Sequence, residues 1–345
     1  MATLGTTALT YGDWAKRIDP DGKVSDIIEL LSQTNEIMQD ELIVEGNQPT
    51  GHVTTVRTGL PSATWRLLNY GVPTGKSTTA KIVDNCGMLE TYSVVDKALA
   101  DLNGNTAAFR LSESMAFLEG MNQQMAQTLI YGNTATAPER FMGLAPRYNT
   151  TASAATGVNV IDAGGTGSVN TSIWLVCWGP NTAHGIFPKG QMAGLKQTDK
   201  GDITPAYDAN NNRYEAYTTH YKWDLGLSVR DWRFIVRIAN IDSLLLTGAS
   251  APNLINALVR AVYRIPVMPA TASAVQNSDA PRPLSFGMPA IYANRTVRTW
   301  LDIQAMNKTN MLLQFENWHG KPVTTFRGIP IRTVDSILNN ESRVV

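Results

Sequence analysis

The sequence predicts a mixed α+β protein, and three stretches carry that prediction. Tyr217, Thr219, Tyr221, Trp223, Leu225, Leu227 and Val229 alternate with His220, Lys222, Asp224, Ser228 and Arg230, the period of two that marks a half-buried strand. Residues 106–131 contain no proline, and Leu111, Met115, Leu118, Met125 and Leu129 recur on one helical face before Gly132 and Asn133 stop it. At 1.5 Å per residue such a helix is a rod of roughly 40 Å. The last third alternates a helix from Asn253 to Ile265 stopped by Pro266, a strand at Ala290–Ala293, a helix capped by Asn294 and a strand from Phe326 to Val334.

Taken in chain order, residues 1–24 mix Gly, Thr and Asp with Trp14 and Ile18, which reads as an extended arm that docks elsewhere. Ser25 is an N-cap candidate, and Ile27, Leu30, Leu31, Met38 and Leu42 recur at roughly helical spacing up to Gly46. An amphipathic helix is expected there. Over residues 52–95, Val53, Val56, Trp65, Tyr70, Ile82, Val83 and Tyr92 surround a turn-rich segment at Gly71–Ser77, the pattern of a long projecting β-hairpin. Two strands alone bury no core, so the hairpin needs another surface, which in an oligomer is a neighbour.

Residues 149–171 are rich in Gly, Ser, Thr and Ala, hence a loop, and Ile173–Trp178 is an apolar run bounded by Gly179 and Pro180, hence a buried strand. At Asp231 the period-two pattern slips phase, with Trp232, Phe234, Val236 and Ile238 taking over the apolar face. A β-bulge in one long, curved strand would do this.

Composition narrows the function classes. The chain has 345 residues, 43% of them hydrophobic, enough for a substantial core. Lys plus Arg (29) equals Asp plus Glu (29), so no global positive field drives salt-dependent nucleic-acid binding. Cys86 and Cys177 are far apart and form no metal or redox motif. Met1–Thr10 carries neither a basic nor a long apolar region, so no signal peptide is expected, and no stretch has the apolar length of a membrane span.

The motifs that suggest chemistry fail on inspection. Gly71-Val-Pro-Thr-Gly-Lys-Ser is one residue short of a phosphate-binding loop and lacks the preceding strand, so a hairpin tip is the better reading. Asp208-Ala-Asn-Asn-Asn-Arg starts like a calcium loop, yet Arg213 replaces the required Gly and Thr219 the bidentate Glu. His52, His184, His220 and His319 fall on expected loops or solvent-side strand positions, outside any zinc or nucleophile motif. The methionines of the long helix read as adaptable packing, and Arg230, Arg233 and Arg237 as a modest basic patch that makes inter-subunit ion pairs rather than phosphate contacts. No catalytic, cofactor-binding or metal-ligating residue is nominated, no cofactor is expected, and the protein is not read as an enzyme.

The order of parts is arm, amphipathic helix, projecting hairpin, rod helix, long strand and α+β segment. With Thr58-Gly-Leu-Pro-Ser-Ala-Thr-Trp-Arg, Phe141-Met-Gly-Leu-Ala, and Tyr292-Ala-Asn-Arg-Thr-Val-Arg-Thr-Trp-Leu followed by Phe326-Arg-Gly-Ile-Pro-Ile, it resembles the gp7-type major capsid proteins of tailed bacteriophages. The likeness spans essentially the whole chain. It implies the Hong Kong 97-like fold: an N-terminal arm and helix (1–50), an extended loop or E-loop (51–96), a peripheral domain (97–250) with its spine helix at 106–131 and long strands at 172–188 and 215–241, and an axial domain (251–345). In the usual arrangement the long peripheral strands come later in the chain, so a permuted strand order is expected. The implied function is self-assembly into hexamers and pentamers of an icosahedral shell around double-stranded DNA, within a virion assembled in the bacterial host cytoplasm. The implied partners are other copies of the chain, a separate scaffolding protein, a portal, a cement or decoration protein and, non-specifically, packaged DNA, with no membrane. Lys76 and Lys81 near the hairpin tip are the candidates for the covalent cross-links some members form, though plain contacts are the favoured reading. The rival readings are an encapsulin-like nanocompartment shell, a cytoplasmic enzyme with a scattered active site, and a tail-tube or cement protein, the last opposed by the long helix.

Overall fold

The computed structural model describes residues 9, 13, 31–201, 204–207, 210–247, 251–266, 287–306, 313–318 and 321–345. The expected arm at 1–24 and the start of the first helix lie almost wholly outside these residues, as does His319.

The expected helix ending at Gly46 is corrected in its described part. Only Ile37–Asp40 (α1) is helical, and Ile43–Glu45 (β1) is a strand. Tertiary pairing overrides the local spacing. Asn35 bridges Val334, Glu36 N–H donates to the Thr333 carbonyl, and β1 pairs in parallel with Ala183–Phe187 (β6).

The hairpin forms as the sequence predicts. Gly51–Gly59 (β2) pairs antiparallel with Thr78–Asp96 (β3), a 19-residue strand that continues from the hairpin into the body. After the short helix Lys97–Ala100 (α2), the long helix spans Thr106–Tyr131 (α3). Its end is held by glycines. A Cβ on Gly132 would lie 2.4 Å from the Phe141 carbonyl oxygen, and one on Gly143 would lie 2.7 Å from that of Thr128. Their bareness lets the 141–144 loop cross the end of the helix, with Leu144 N–H donating to the Leu129 carbonyl.

Val160–Asp162 (β4), Asn170–Trp178 (β5), β6, Leu195–Asp199 (β7), Thr204–Tyr207 (β8), Arg213–Val229 (β9) and Ile235–Asp242 (β10) follow. β9 pairs along most of its length with β3, from Cys86↔Gly226 to Asp96↔Ala216, so α3 and the β3–β9 ribbon run side by side. β5 is buried throughout and lies between β10 and Met288–Ala293 (β11). Leu254–Arg264 (α4) and Arg295–Met306 (α5) cover one face of this sheet. Ile173, Leu175, Val236, Ile238 and Ile291 point to them, whereas Trp174, Val176, Trp178 and Tyr292 point to the opposite core with Tyr148, Phe141 and Leu129. The caps are the expected ones. Asn253 Oδ1 accepts from Asn256 N–H, and Asn294 Oδ1 from Thr296 N–H. Leu313–Trp318 (β12), Lys321–Phe326 (β13) and Ile329–Thr333 (β14) extend the sheet.

Four strand expectations need correction. The stretch 172–188 is two strands, β5 and β6, because Gly179–Thr182 closes a turn in which Thr182 Oγ1 donates to the Cys177 carbonyl. The stretch 215–241 is likewise β9 and β10. At Asp231 a 3₁₀ turn over Trp232–Phe234 redirects the chain, with Asp231 capping Arg233 N–H, so the phase slip marks a corner and not a bulge. The bulge sits at Asn240, whose left-handed φ of 58° is compatible with asparagine. The stretch from Phe326 to Val334 is not one strand, since Arg327 and Gly328, both at positive φ, make a two-residue hairpin turn.

β5 and the β10 half of the second stretch share a sheet and a core with β11, β14, α4 and α5. The boundary expected at 250/251 therefore falls inside one sheet.

Candidate assembly surfaces

The hairpin is fixed at its root and bare at its tip. Asn47 brackets Val53, its Nδ2 donating to the Val53 carbonyl and its Oδ1 accepting from Val53 N–H, both at 2.8 Å. A Cβ on Gly51 would lie 2.1 Å from the Asp84 carbonyl oxygen, so β2 approaches β3 closely there. Beyond the root, residues 60–77 are exposed throughout, and Trp65 is 100% exposed alongside Leu60, Leu67, Leu68 and Tyr70. An apolar patch of this kind marks an interaction surface. The Gly71–Ser77 segment lies in this loop, away from any helix N-terminus, which disposes of the phosphate-loop geometry. Lys76 and Lys81 are both exposed, Lys81 on β3 opposite Thr55.

Beneath the root lies a buried polar joint that the sequence does not reveal. Asp84 on β3 accepts from Arg147 Nη2 at 2.8 Å, and the same nitrogen donates to the carbonyls of Met142 and Leu227. This guanidinium ties hairpin, loop and β9 together. His52, opposite Asp84 in register, meets His184 of β6 edge to face with ring centroids 5.7 Å apart. Both rings are buried, which corrects the expectation of loop or solvent-side positions. Burial, reinforced by the neighbouring His52 and Arg230, pushes the His184 imidazole down to about 4; burial and Arg230 also lower His52. On the other side of β6 the Glu41 carboxyl packs against Gly185, and burial raises it to about 8. His220 lies elsewhere, stacked on Tyr92 and 3.1 Å from Glu90.

The rod helix has two characters. Its C-terminal half is embedded through Met121, Met125, Leu129 and Ile130, while Leu111 and Met115 are exposed. The single apolar face expected from the spacing is thus corrected: the helix approaches β3 through Phe109, Phe117 and Met121, and its Leu111–Met115 strip faces away. Asp224, where β9 pairs with β3, and Ser228, where it pairs with β6, are also buried rather than solvent-facing.

The three arginines read as a group separate. Arg237 is buried and donates to Glu341 Oε2 (2.8 Å), Ser172 Oγ (3.1 Å) and the Tyr148 carbonyl (2.8 Å), with its guanidinium 5.0 Å from the Trp174 ring centre. Tyr131 also donates to Glu341. Arg233 pairs with Asp231, and Arg230 donates to the Pro180 carbonyl. Arg233 and Arg237 pair within one subunit, which corrects the expected inter-subunit ion pairing, because their acidic partners lie on the same chain. No sequence signal marks Glu341, which lies 104 positions from its partner.

Among the described residues no group of three or more His, Cys, Asp or Glu is placed to hold a metal ion, and no helix is long and apolar enough to cross a membrane. The prominent features are faces, chiefly the bare hairpin tip and the cleft between α3 and β3. A family model described as major capsid protein GP7 matches residues 19–345. The chain belongs to the GP7 major capsid protein family. A chain of the bacteriophage Epsilon15 cryo-EM structure is 40% identical over 100% of this chain and 99% of that one, with a TM-score of 0.75. A chain of the bacteriophage JBD30 capsid is 9% identical over 89% of this chain and 92% of that one, with a TM-score of 0.45. One from the SrpI encapsulin complex of Synechococcus elongatus is 10% identical over 63% and 91%, with a TM-score of 0.41. No curated protein matches. The fold is the Hong Kong 97-like capsid fold, and the protein is a capsid subunit of a bacteriophage virion, its shell built from copies of itself.

Proposed function

We propose that this GP7-family subunit closes an icosahedral shell as hexamers and pentamers around double-stranded DNA, and that it does so by non-covalent overlap of subunits, without catalysis. The observation that carries this reading is the hairpin tip, whose large apolar side chains are exposed although the root is rigidly anchored. Such a tip lowers its free energy by lying on an adjacent copy.

On this reading residues 1–50 are the arm and 51–96 the extended loop. The peripheral unit is α3 with β9, against which the extended loop's second strand, β3, runs, and the axial unit gathers residues 251–345 together with β4, β5 and β10, whose sheet and core they share. β9 then precedes most of the axial residues, which keeps the permuted order. The balanced net charge suits a container that holds DNA through weak, non-specific contacts. A separate scaffolding protein, a portal and a cement protein complete the particle, assembled in the host cytoplasm.

Negative-stain microscopy and sedimentation of the protein, expressed with and without its genomic neighbours, test the proposal. Closed DNA-containing particles, or rings of five and six, are expected. A stable compact monomer under every condition would overturn it, and a DNA-free shell around a protein cargo would favour a nanocompartment.

A further inference from the structure

We infer that the helical layer of α4 and α5 is the face that meets the enclosed double-stranded DNA, through the guanidiniums of Arg260, Arg264 and Arg327 grouped around Tyr263. This rests on the shell reading above and names the surface on which its weak DNA contact falls. The chain as a whole has no net charge, yet α4 and α5 together carry four arginines, no lysine and a single carboxylate, Asp302. Asp302 has Arg298 as its charged neighbour, and Arg295 pairs with Asp335. Among the described residues neither Arg260 nor Arg264 has a carboxylate partner, and nor does Arg327 on the β13–β14 turn beside them.

The local structure runs against its own stability at these three positions. Arg260 and Arg264 stand one helical turn apart, a like-charge spacing that disfavours a helix, and burial together with Arg260 lowers the Arg264 guanidinium. Arg264 Nη1 donates to the Val158 and Val160 carbonyls, which fixes its direction. Arg327 is the first residue of a two-residue turn at a left-handed φ of 52°, where glycine or asparagine is at ease and arginine is strained. Its guanidinium lies 5.0 Å from the ring centre of Tyr263, itself 74% exposed, and makes no hydrogen bond among the described residues. A strained, unpaired cation set beside two others is a concentration of positive charge that this subunit does not neutralise and an anionic partner would.

The form of the surface selects a polyanion. Asn256, Arg260, Tyr263 and Arg264 follow one stripe of α4, and the first three are exposed. The stripe offers guanidinium forks around a single ring that Arg327 already faces, which suits an evenly charged backbone better than a protein segment that needs apolar anchors. Arginines a helical turn apart, about 5.4 Å, reach neighbouring phosphates of one strand, which advance about 3.4 Å along the axis, because the side chains are long. Three such contacts are weak, blind to sequence and sensitive to salt, with log K falling by about 0.9 per phosphate for each tenfold rise in salt.

The test uses particles of the full-length protein filled with DNA, and the same particles emptied of it. Phenylglyoxal modification, read by peptide mass spectrometry, is expected to be about fivefold lower or more at Arg260 and Arg327 in filled particles, because a guanidinium on a phosphate is shielded from the reagent. Equal reactivity in the two would overturn the assignment, whether high in both, as for a face that meets nothing, or low in both, as for one covered by an acidic protein segment or another copy. The double variant Arg260→Glu with Arg327→Glu should form shells in wild-type yield, since both side chains are exposed and unpaired, yet release its DNA at a lower temperature. A variant that retains DNA as wild type does, or that folds and forms no shells, would also overturn the assignment; if the variant does not fold, the wild-type footprint decides. Failure of the wild type to give DNA-containing particles would instead strike the shell reading itself.

Discussion

Glu341→Ala should be among the most damaging single substitutions in the subunit, and its cost can be worked out from the contacts. The Glu341 carboxylate accepts from Arg237, Ser172 and Tyr131, and both members of the ion pair have side chains only 5% exposed. Arg237 would keep its bonds to Ser172 and the Tyr148 carbonyl, but its charge would lose its counter-ion in a core formed with Trp174 and Val176. Removing one partner of a buried pair costs about 3–5 kcal/mol, because the remaining charge stays desolvated. That is a large share of the roughly 5–15 kcal/mol by which a domain is stable. The assay is urea unfolding of the unassembled subunit followed by tryptophan fluorescence. A second variant separates the ion pair from mere loss of volume: Arg237→Met with Glu341→Leu removes both charges and should recover most of the loss. A loss below about 1 kcal/mol for Glu341→Ala, or a double variant as unstable as the single one, would refute the argument.

Other consequences follow from the hairpin root and the rod helix. His184 is held neutral, with a folded pKa of about 4 against 6.5 unfolded, so the unfolded chain binds more protons on acidification. Its contribution is complete above pH 6.5 and lost as pH falls to 4, by about 3 kcal/mol, and His184→Gln should flatten urea midpoints across that window. Glu41 has the opposite sign. Its folded pKa is raised from 4.5 to about 8, so its favourable share is present below pH 4.5 and lost as pH rises through 8. The melting temperature of Glu41→Gln should gain on wild type progressively over that range. Gly132→Ala drives a Cβ into two backbone carbonyls, at 2.4 and 2.5 Å, and should cost about 1–3 kcal/mol in chemical unfolding. Gly120→Ala, with open space around it, should stabilise the subunit by up to about 1 kcal/mol in the same measurement.

The sequence by itself determined the elements whose signal is local. The rod at 106–131 needed only a proline-free run ended by Gly132, the hairpin needed only β-rich flanks around a turn-rich tip, and the caps at Asn253 and Asn294 needed only their short-range hydrogen bonds. The order of those parts also placed the chain in its family. Tertiary structure decided whatever depends on residues far apart in the chain. Ile37–Glu45 is mostly not helical because β6 and residue 334 compete for its backbone. The period-two stretch breaks at Asp231 because a turn sends β10 to β5, a choice hydrophobic periodicity does not encode, since a corner and a bulge shift the phase alike. Leu111 and Met115 have the spacing of a buried face, yet whether a face is covered depends on what lies opposite. The Arg147–Asp84 joint, the His52–His184 contact and the Arg237–Glu341 pair join residues separated by 63, 132 and 104 positions. Burial, the source of their energetics and of the lowered pKa of His52 and His184, exists only once the chain has folded.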